Sequence, residues 1–418
     1  MKIAYINQSY PPMISGASFV VQNLAKGMAA RGHSVLVIVA SDKGQAYTTE
    51  YGNTRIVRLK SISNPKRANQ RFAPGSFGRI IREIKKFQPD IIHIHDVLSM
   101  GIVGISSGRK MNIPVVATIH QLPWFICAYL PPIPVLKNLV EKCLWVYSRW
   151  LNNQCKRMIV PTRTISKIIE SRGGFQTTDI SNGIDLIHFT PTPKHSREAD
   201  HLHDQLGLDS EKPIILHVGR LDVDKRVDIV IRAAAEVLEQ IDGQLLVVGD
   251  GECRKDLIDL ANRLGIGDRS YFSGFLNPKT EIPAIYQIAS VFTTASEIET
   301  QGLVLLEAMA SGLPVVAVDA TCIPEIIKNN INGYLVQPGD VNAMSNKLVE
   351  TLSNPARARQ MGKIGRLIAQ NHSIEESMNK YEDLYESTVK IHLHSQKQKS
   401  VLTRKPAERK IHEIYHNI

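Results

Sequence analysis

The chain has 418 residues, more than one hydrophobic core usually serves, and its 43% apolar and 22% charged content is ordinary globular composition, so two domains are expected. The five cysteines, Cys127, Cys143, Cys155, Cys253 and Cys322, are scattered, odd in number and without a C-x-x-C pair, which argues against a disulfide framework and a zinc site and fits a reducing cytoplasm. The formal charge is +10; the N-terminal "MKIAYINQSY" turns polar too early for a signal peptide, and no stretch reaches membrane-spanning length uncharged, so neither export nor a membrane span is expected.

The first segment reads strand, loop, helix, strand: "KIAYIN", then "QSYPPMISGAS", an amphipathic run to Arg31 and Gly32, and "HSVLVIVA". Between Arg55 and Lys86 stand ten basic residues and one acid, Glu83, a patch that is either a solvated face or a surface for anionic lipid or nucleic acid. Within it, "SFGRIIREIKKF" sets Phe77, Ile80, Ile81, Ile84 and Phe87 at helical spacing opposite Arg79, Arg82, Lys85 and Lys86. Such a helix either faces the core or lies on anionic lipid, and the preceding Lys66, Arg67 and Arg71 around Phe72 favour the lipid surface.

Apolar runs recur at "DIIHIH", "PVVATIH" and "RMIVPT", separated by segments of helical length, which implies a parallel sheet covered on both faces. The stretch from Leu122 to Leu151 carries Trp124, two more tryptophans and two tyrosines, as either a packed helix or a bilayer-interface element. The pattern stops at "SNGIDLIHFTPTPKHS", a linker, and restarts at "PIILHVGRL", "GQLLVVGDGE", "RSYFSGF", "VFTTAS" and "LPVVAVD" as a second αβ sheet. Helical segments follow to about residue 390, and 391–418 is a basic tail too polar to pack a core and expected to be poorly ordered. Two αβ lobes joined by a hinge place a cleft between them, where ligands bind.

"HVGRLDVDK" ends a strand and opens a helical turn in a way that suits a diphosphate: Gly219 allows close backbone approach, while Arg220 and Lys225 supply a fork and a point charge. Gly249 and Gly251 in "VVGDGE" form a second tight turn. In "SEIETQGLVLLEAMASG", Glu299 falls in a loop and Glu307 about one turn inside a helix, where an unpartnered carboxylate in an apolar run is costly. A carboxylate accepts from two neighbouring hydroxyls at once, so Glu307 reads as a ribose ligand and Glu299 as the holder of a sugar, with the N–H groups of Gln301, Gly302 and Leu303 toward the phosphate between them. Asp222 and Asp224 imitate a D-x-D metal motif, but they stand between Arg220 and Lys225, whose charges already do what a metal would do; His93, His95 and Asp96 alternate on a buried strand, which favours structural roles.

These residues carry a resemblance. "ETQGLVLLEAMASGLPVVA" resembles the E-x(7)-E motif of the family 4 retaining glycosyltransferases of the GT-B fold, and "GRLDVDK", "SNGID", "INGYLVQPGD" and "PDIIHIHD" resemble that family's phosphate loop, interdomain segment, strand-loop and N-domain strand. The resemblance covers most of residues 1–390 and implies an α/β chain of two facing Rossmann-like domains: 1–190 for the acceptor, 191–372 for a nucleotide sugar, and a helix at 373–390 crossing back to the first domain. It implies a UDP-, GDP- or ADP-sugar donor and no metal, with Arg220 and Lys225 on the diphosphate, Glu299 at the sugar and Glu307 at the ribose, and Thr300, Ser273, Gly274 and Phe275 among the donor-binding residues. His120, at the end of "ATIHQLP", stands where such enzymes hold a histidine near sugar and phosphate. The N-domain loop usually carries a double glycine; here Ala17 follows Gly16, so only Gly16 is carried over as a phosphate contact.

The resemblance further implies transfer of a hexose with retention, the leaving phosphate oxygen taking the acceptor's proton. The spelling "ETQG" resembles diacylglycerol glucosyltransferases, so a lipid acceptor and peripheral attachment to the inner membrane face are expected, against a soluble-acceptor transferase or sugar-nucleotide epimerase. A dinucleotide-dependent oxidoreductase is excluded by the lack of G-x-G-x-x-G after the first strand, and no recognition motif supports nucleic acid as a partner.

Overall fold

The computed structural model describes residues 1–13, 15–64, 70–128, 130–131, 133–191 and 197–416, with the side chains of Ala128, Arg197, Glu198 and residues 399–416 outside the description. The chain divides into two compact units, one formed by residues 1–119, 147–159 and 378 onward, the other by 120–146 and 160–377.

The first half runs β1 (Lys2–Ile6), α1 (Gly16–Ala30), β2 (Ser34–Ala40), β3 (Tyr47–Tyr51), β4 (Thr54–Leu59), β5 (Ile62–Ser63), β6 (Arg71–Phe72), α2 (Phe77–Phe87), β7 (Ile91–Ile94), α3 (Ser99–Met111), β8 (Val115–Thr118), α4 (Pro123–Ala128), α5 (Pro134–Gln154), β9 (Arg157–Val160), α6 (Arg163–Ile168) and β10 (Thr178–Asp179). Its sheet has the order β10-β9-β8-β7-β1-β2-β4-β3. The central strands pair in parallel, and their residues are buried on both faces, which is why they read as continuous apolar runs rather than alternating ones. At the edge, β3 pairs antiparallel with β4, a departure from the all-parallel expectation. β4 lies inside the segment read as a basic patch: Arg58 is buried, with its guanidinium 3.1 Å from Asp42 and over the rings of Tyr10 and Tyr47, so a charged residue serves as an interior one.

The second half runs α7 (Arg197–Leu206), β11 (Ile214–Val218), α8 (Val227–Leu238), β12 (Gln244–Val248), α9 (Arg254–Arg263), β13 (Ser270–Gly274), α10 (Glu281–Ile288), β14 (Val291–Thr294), α11 (Leu303–Ala310), β15 (Val315–Val318), α12 (Ile323–Ile326), β16 (Gly333–Val336), α13 (Val341–Ser353), α14 (Pro355–Gln370) and α15 (Ile374–His416). Its sheet is parallel throughout, in the order β13-β12-β11-β14-β15-β16. Numbered from β11, that order is 3-2-1-4-5-6, so the connections leaving β11 and β14 depart in opposite directions and open a crevice at their carboxyl ends.

The unit boundary falls earlier than residue 190 because residues 160–191 are tied into the second unit. Thr162 Oγ1 donates to Thr300 O at 2.9 Å, and Glu325 accepts from the N–H groups of Arg163 and Thr164 at 3.1 and 2.8 Å. The Arg366 guanidinium donates to the Phe189 carbonyl at 3.0 Å and to that of Ala310. Ile184, in the segment read as the linker, exchanges backbone hydrogen bonds with His372 and Ile374 at the start of α15.

From Met378 onward α15 belongs to the first unit. Glu382 binds Arg31 at 2.6 Å and His33 at 2.8 Å, and Tyr385 OH meets His93 Nδ1 at 2.6 Å. His93 Nε2 meets Thr118 Oγ1 at 2.8 Å, so both ring nitrogens have structural partners. The tail expected to be poorly ordered instead continues the helix: His392 Nε2 donates to Asn112 O at 2.9 Å, and residues to His416 remain helical. Lys, Arg, Gln, Glu, Leu and Ala along this run favour a helix, against the cost of Pro406 in its interior.

Candidate functional site

The crevice of the second sheet is flanked by the loop after β11 and the loop after β14, which bring together the cations and the first glutamate singled out in the sequence. Lys225 Nζ donates to Glu299 Oε1 at 2.6 Å and to Ser296 Oγ at 3.3 Å. Arg220 donates through Nη1 to Asp222 and through Nη2 to Asp224 Oδ2 at 3.0 Å. The two aspartates of the apparent D-x-D are therefore the carboxylates that hold Arg220, and among the described residues no group of three or more His, Cys, Asp and Glu side chains is arranged to hold a metal ion.

The glycine turn after β12 is joined to this loop by backbone hydrogen bonds. Gly219 N donates to Val248 O at 3.0 Å, Leu221 N to Asp250 O at 3.0 Å and Cys253 N to Leu221 O at 2.9 Å. Gly249 has φ +129°, and a Cβ there would stand 1.9 Å from Gly219 O, so only glycine fits. Next to it, Gly249 N donates to Gly274 O at 3.0 Å, Ser273 Oγ is turned to the Gly274 carbonyl, and Phe275 is half exposed.

Gly302 caps α11 in the left-handed region at φ +74° and offers no side chain to the helix mouth, so the first N–H groups of α11 have no side-chain cap. One turn in, Glu307 Oε2 accepts from Tyr286 OH at 2.7 Å. Tyr286 is fully buried between the rings of Phe189 and Phe292, at 5.8 and 6.0 Å. This is the partner that a carboxylate in an apolar run requires. Burial raises the Glu307 carboxyl to about 7, against the lowering effect of the Tyr286 hydrogen bond.

Other candidates are placed differently. Gln301 is buried, and its amide accepts from Asn182 N at 2.9 Å and donates to Ser181 Oγ at 2.5 Å, so its side chain holds the linker and only its backbone faces the helix mouth. Thr300 Oγ1 reaches His120 O at 3.5 Å, which puts His120 beside the loop that carries Glu299. Burial lowers the His120 imidazole to about 4, so it is neutral at physiological pH. Gly16 lies in the first unit at the first position of α1, behind an N-cap in which Ser15 and Ser18 bond each other's backbone.

Sequence reasoning missed His217, on β11 two residues before Gly219. Its Nδ1 donates to Thr293 O at 3.0 Å, it is buried, and desolvation lowers it to about 4, so its Nε2 is a neutral acceptor beneath Gly219. Tyr286 was missed because nothing in the spacing of α10 separates it from the core residues around it.

Of the membrane and acceptor candidates, Lys66 and Arg67 lie outside the described residues. Arg71 is a brace: it donates to Ser61 Oγ at 2.9 Å and Ser63 Oγ at 2.7 Å. Trp124 is half-buried, with the Arg172 guanidinium 5.1 Å over its ring. On α2, Ile80 and Ile84 are core residues, so that face is turned inward; Phe77, Ile81, Arg82, Lys85 and Lys86 are exposed and Arg79 is half-buried, 3.5 Å from Thr48 Oγ1. The exposed apolar surface of the aromatic segment is instead on α5, where Val135, Leu139, Val146 and Trp150 recur along one side with exposed Lys142 and Arg149 beside them. No described helix is long and apolar enough to cross a membrane.

Comparison with known proteins finds matches for both halves of the chain. A family described as Glycosyltransferase Family 4 matches residues 14–187, and one described as Glycosyl transferases group 1 matches residues 198–368. The alpha-monoglucosyldiacylglycerol synthase of Streptococcus pneumoniae is 28% identical over 337 residues, 80% of this chain and 75% of that one. The protein of that name from Acholeplasma laidlawii is 26% identical over 390 residues, 92% of this chain and 96% of its own. Among solved structures, sucrose-phosphate synthase from Thermosynechococcus elongatus superposes with a TM-score of 0.77 at 24% identity, covering 92% of this chain and 98% of that one. Anabaena HepE, solved in complex with UDP and glucose, gives 0.73 at 20% identity, covering 93% and 100%.

Proposed function

The chain belongs to the family 4 glycosyltransferases of the GT-B fold, and from that premise we propose that it transfers a hexose, with retention, from a nucleoside diphosphate sugar to a hydroxyl of a membrane lipid. The observation that carries the donor half is the 2.6 Å contact between Lys225 and Glu299 at the switch point of the second sheet, with Arg220 in the same loop and the α11 mouth and Glu307 beyond it. A diphosphate laid across that crevice meets Arg220, Lys225 and the uncapped N–H groups of α11; Glu307 then accepts from the ribose hydroxyls and Glu299 from those of the sugar.

Breaking the glycosidic bond leaves an anionic phosphate and an oxocarbenium-like sugar. Arg220, Lys225 and the helix mouth stabilise the departing charge, each such donor being worth about 3 kcal/mol in well-formed sites. Neutral His120 is suited to exchange hydrogen bonds with sugar or phosphate, not to deliver a proton from an imidazolium. The leaving phosphate oxygen takes the acceptor hydroxyl's proton as that hydroxyl attacks from the same face. Among UDP-, GDP- and ADP-sugars we favour UDP, the nucleotide in the HepE complex.

Support for the lipid half comes from the relatives named as diacylglycerol-lipid synthases and from the α5 stripe, apolar with flanking cations, which suits an anionic bilayer surface. A thermal-shift series with UDP-, GDP- and ADP-glucose tests the donor, since a ligand at a hundred times its Kd adds about 2.7 kcal/mol of stability. Flotation with phosphatidylglycerol vesicles tests the acceptor surface: the protein should rise with the vesicles at low salt, and the variant Leu139→Glu with Val146→Glu should not. A parent protein that stays behind at low salt removes the lipid reading and leaves a soluble acceptor.

A further inference from the structure

Five described residues other than glycine have positive φ, and Thr321, at φ +46°, is the β-branched one among them. Gln88, Asn112, Arg226 and Asn330 are unbranched at Cβ; a β-branched side chain in this region crowds its own backbone, so the conformation persists only where surrounding structure imposes it. Thr321 sits in the short connection between β15 and α12, 22 residues after Glu299, and was not singled out by any sequence motif.

Its contacts explain the position. Glu299 N donates to Thr321 Oγ1 at 3.3 Å, and the thiol of the next residue, Cys322, donates to Glu299 O at 3.3 Å. Cys322 is fully buried, so this second contact is anchored in the core. Two consecutive residues thus hold the N–H and the C=O of a single residue, which fixes the peptide planes on both sides of the Glu299 Cα and with them the direction of its Cβ. The carboxylate so directed meets Lys225 Nζ at 2.6 Å. Glycine would adopt φ +46° without crowding, but it carries no hydroxyl for Glu299 N.

We infer that Thr321 is a positioning residue: its strained turn, with Cys322, aims Glu299 at the transferred sugar. The inference rests on the reading of Glu299 given above and assigns the connection after β15 a part in the reaction. Loss of the clamp leaves the diphosphate cations and Glu307 in place, so it should slow turnover without weakening donor binding. Strain released by substitution should appear as added thermal stability.

The test compares Thr321→Ser, Thr321→Gly and Thr321→Ala with Glu299→Gln in the full chain. Nucleotide release is measured from whichever of UDP-, GDP- and ADP-glucose raises the parent's Tm most. The serine variant keeps the hydroxyl and should hold kcat within about twofold, whereas the alanine and glycine variants should lose about tenfold or more in kcat with donor KM nearly constant. The glycine variant should show a Tm equal to or above the parent's, which separates a loss of aim from a loss of fold. Parental kcat in the alanine and glycine variants, with Glu299→Gln impaired, overturns the clamp and leaves the assignment of Glu299 standing. Parental kcat in Glu299→Gln as well overturns that assignment itself. A glycine variant whose Tm falls together with kcat makes Thr321 a folding residue and also overturns the inference.

Discussion

Lys225 Nζ and Glu299 Oε1 lie 2.6 Å apart, so the cation assigned to the donor's phosphate and the carboxylate assigned to its sugar already neutralise each other. Both side chains are only 16% exposed, which keeps the pair out of the fully screened regime of surface ion pairs. Under the proposed roles a bound diphosphate draws Lys225 from Glu299 and the released carboxylate accepts from the sugar, which makes donor binding and sugar orientation one event. Glu299→Gln should leave Lys225 more available, so the affinity for a nucleoside diphosphate stays the same or rises severalfold at low salt, while kcat falls by about a hundredfold. Lys225→Met should show the opposite emphasis, with nucleotide affinity lost first. Calorimetric titration of both variants beside steady-state kinetics checks this, and a Glu299→Gln variant that binds nucleotide tenfold more weakly than the parent would falsify the exchange.

The strands of both sheets were legible because a parallel strand buried on both faces must be a short apolar run, and "KIAYIN", "DIIHIH", "PIILHV" and "VFTT" are such runs. The fold followed from their alternation with helices. β4 was not legible: Arg55 and Arg58 look like surface charge until Glu83 and Asp42, distant in sequence, are seen to neutralise them. Within the site, Gly219, Arg220, Lys225, Glu299, Gly302 and Glu307 stood in two short motifs whose chemistry is local. Tyr286, His217 and Thr321 were hidden because each acts through a tertiary contact, and no period or spacing encodes a hydroxyl 2.7 Å from a carboxylate 21 residues away. The Gln301 side chain was hidden in the same way: only its backbone N–H was read from the motif, and its amide holds Asn182 and Ser181.

Burial raises the Glu307 carboxyl to about 7, and under the proposed ribose role this gives donor binding a pH dependence. The ionised form is the one that would accept from two ribose hydroxyls. Affinity for a nucleotide sugar, whose diphosphate diester does not titrate in this range, should therefore rise with pH and level off above 7, being roughly tenfold weaker one pH unit below the midpoint than on the plateau. The unliganded protein behaves in the opposite sense. A carboxyl whose folded pKa is raised from 4.5 to about 7 contributes stability below 4.5 that is lost as pH rises through 7, so added ligand should protect most at alkaline pH. Glu307→Gln should bind weakly at every pH and flatten the profile. Tyr286→Phe removes the hydrogen bond that lowers the carboxyl and should move the midpoint upward. Calorimetry between pH 5.5 and 8.5, an interval chosen to bracket the value near 7, decides the matter, and a level profile in the parent excludes Glu307 as the titrating ligand.

Gly249 and Gly265 form a controlled pair for the packing of the donor loops. Both have positive φ, +129° and +72°, but a Cβ at Gly249 would stand 1.9 Å from Gly219 O whereas nothing lies within 4 Å of one at Gly265. Gly265→Ala adds only conformational strain and should cost about 1 kcal/mol. Gly249→Ala must also push apart the backbone contact that joins the glycine turn to the Gly219 loop, so it should cost more than about 3 kcal/mol and abolish nucleotide binding in whatever protein remains folded. Urea unfolding followed by circular dichroism gives the two costs, and nucleotide titration of the folded fraction gives the second effect. Equal shifts for the two variants would mean that the Gly219 and Gly249 loops do not need their close approach, and the diphosphate cradle built on it would have to be abandoned.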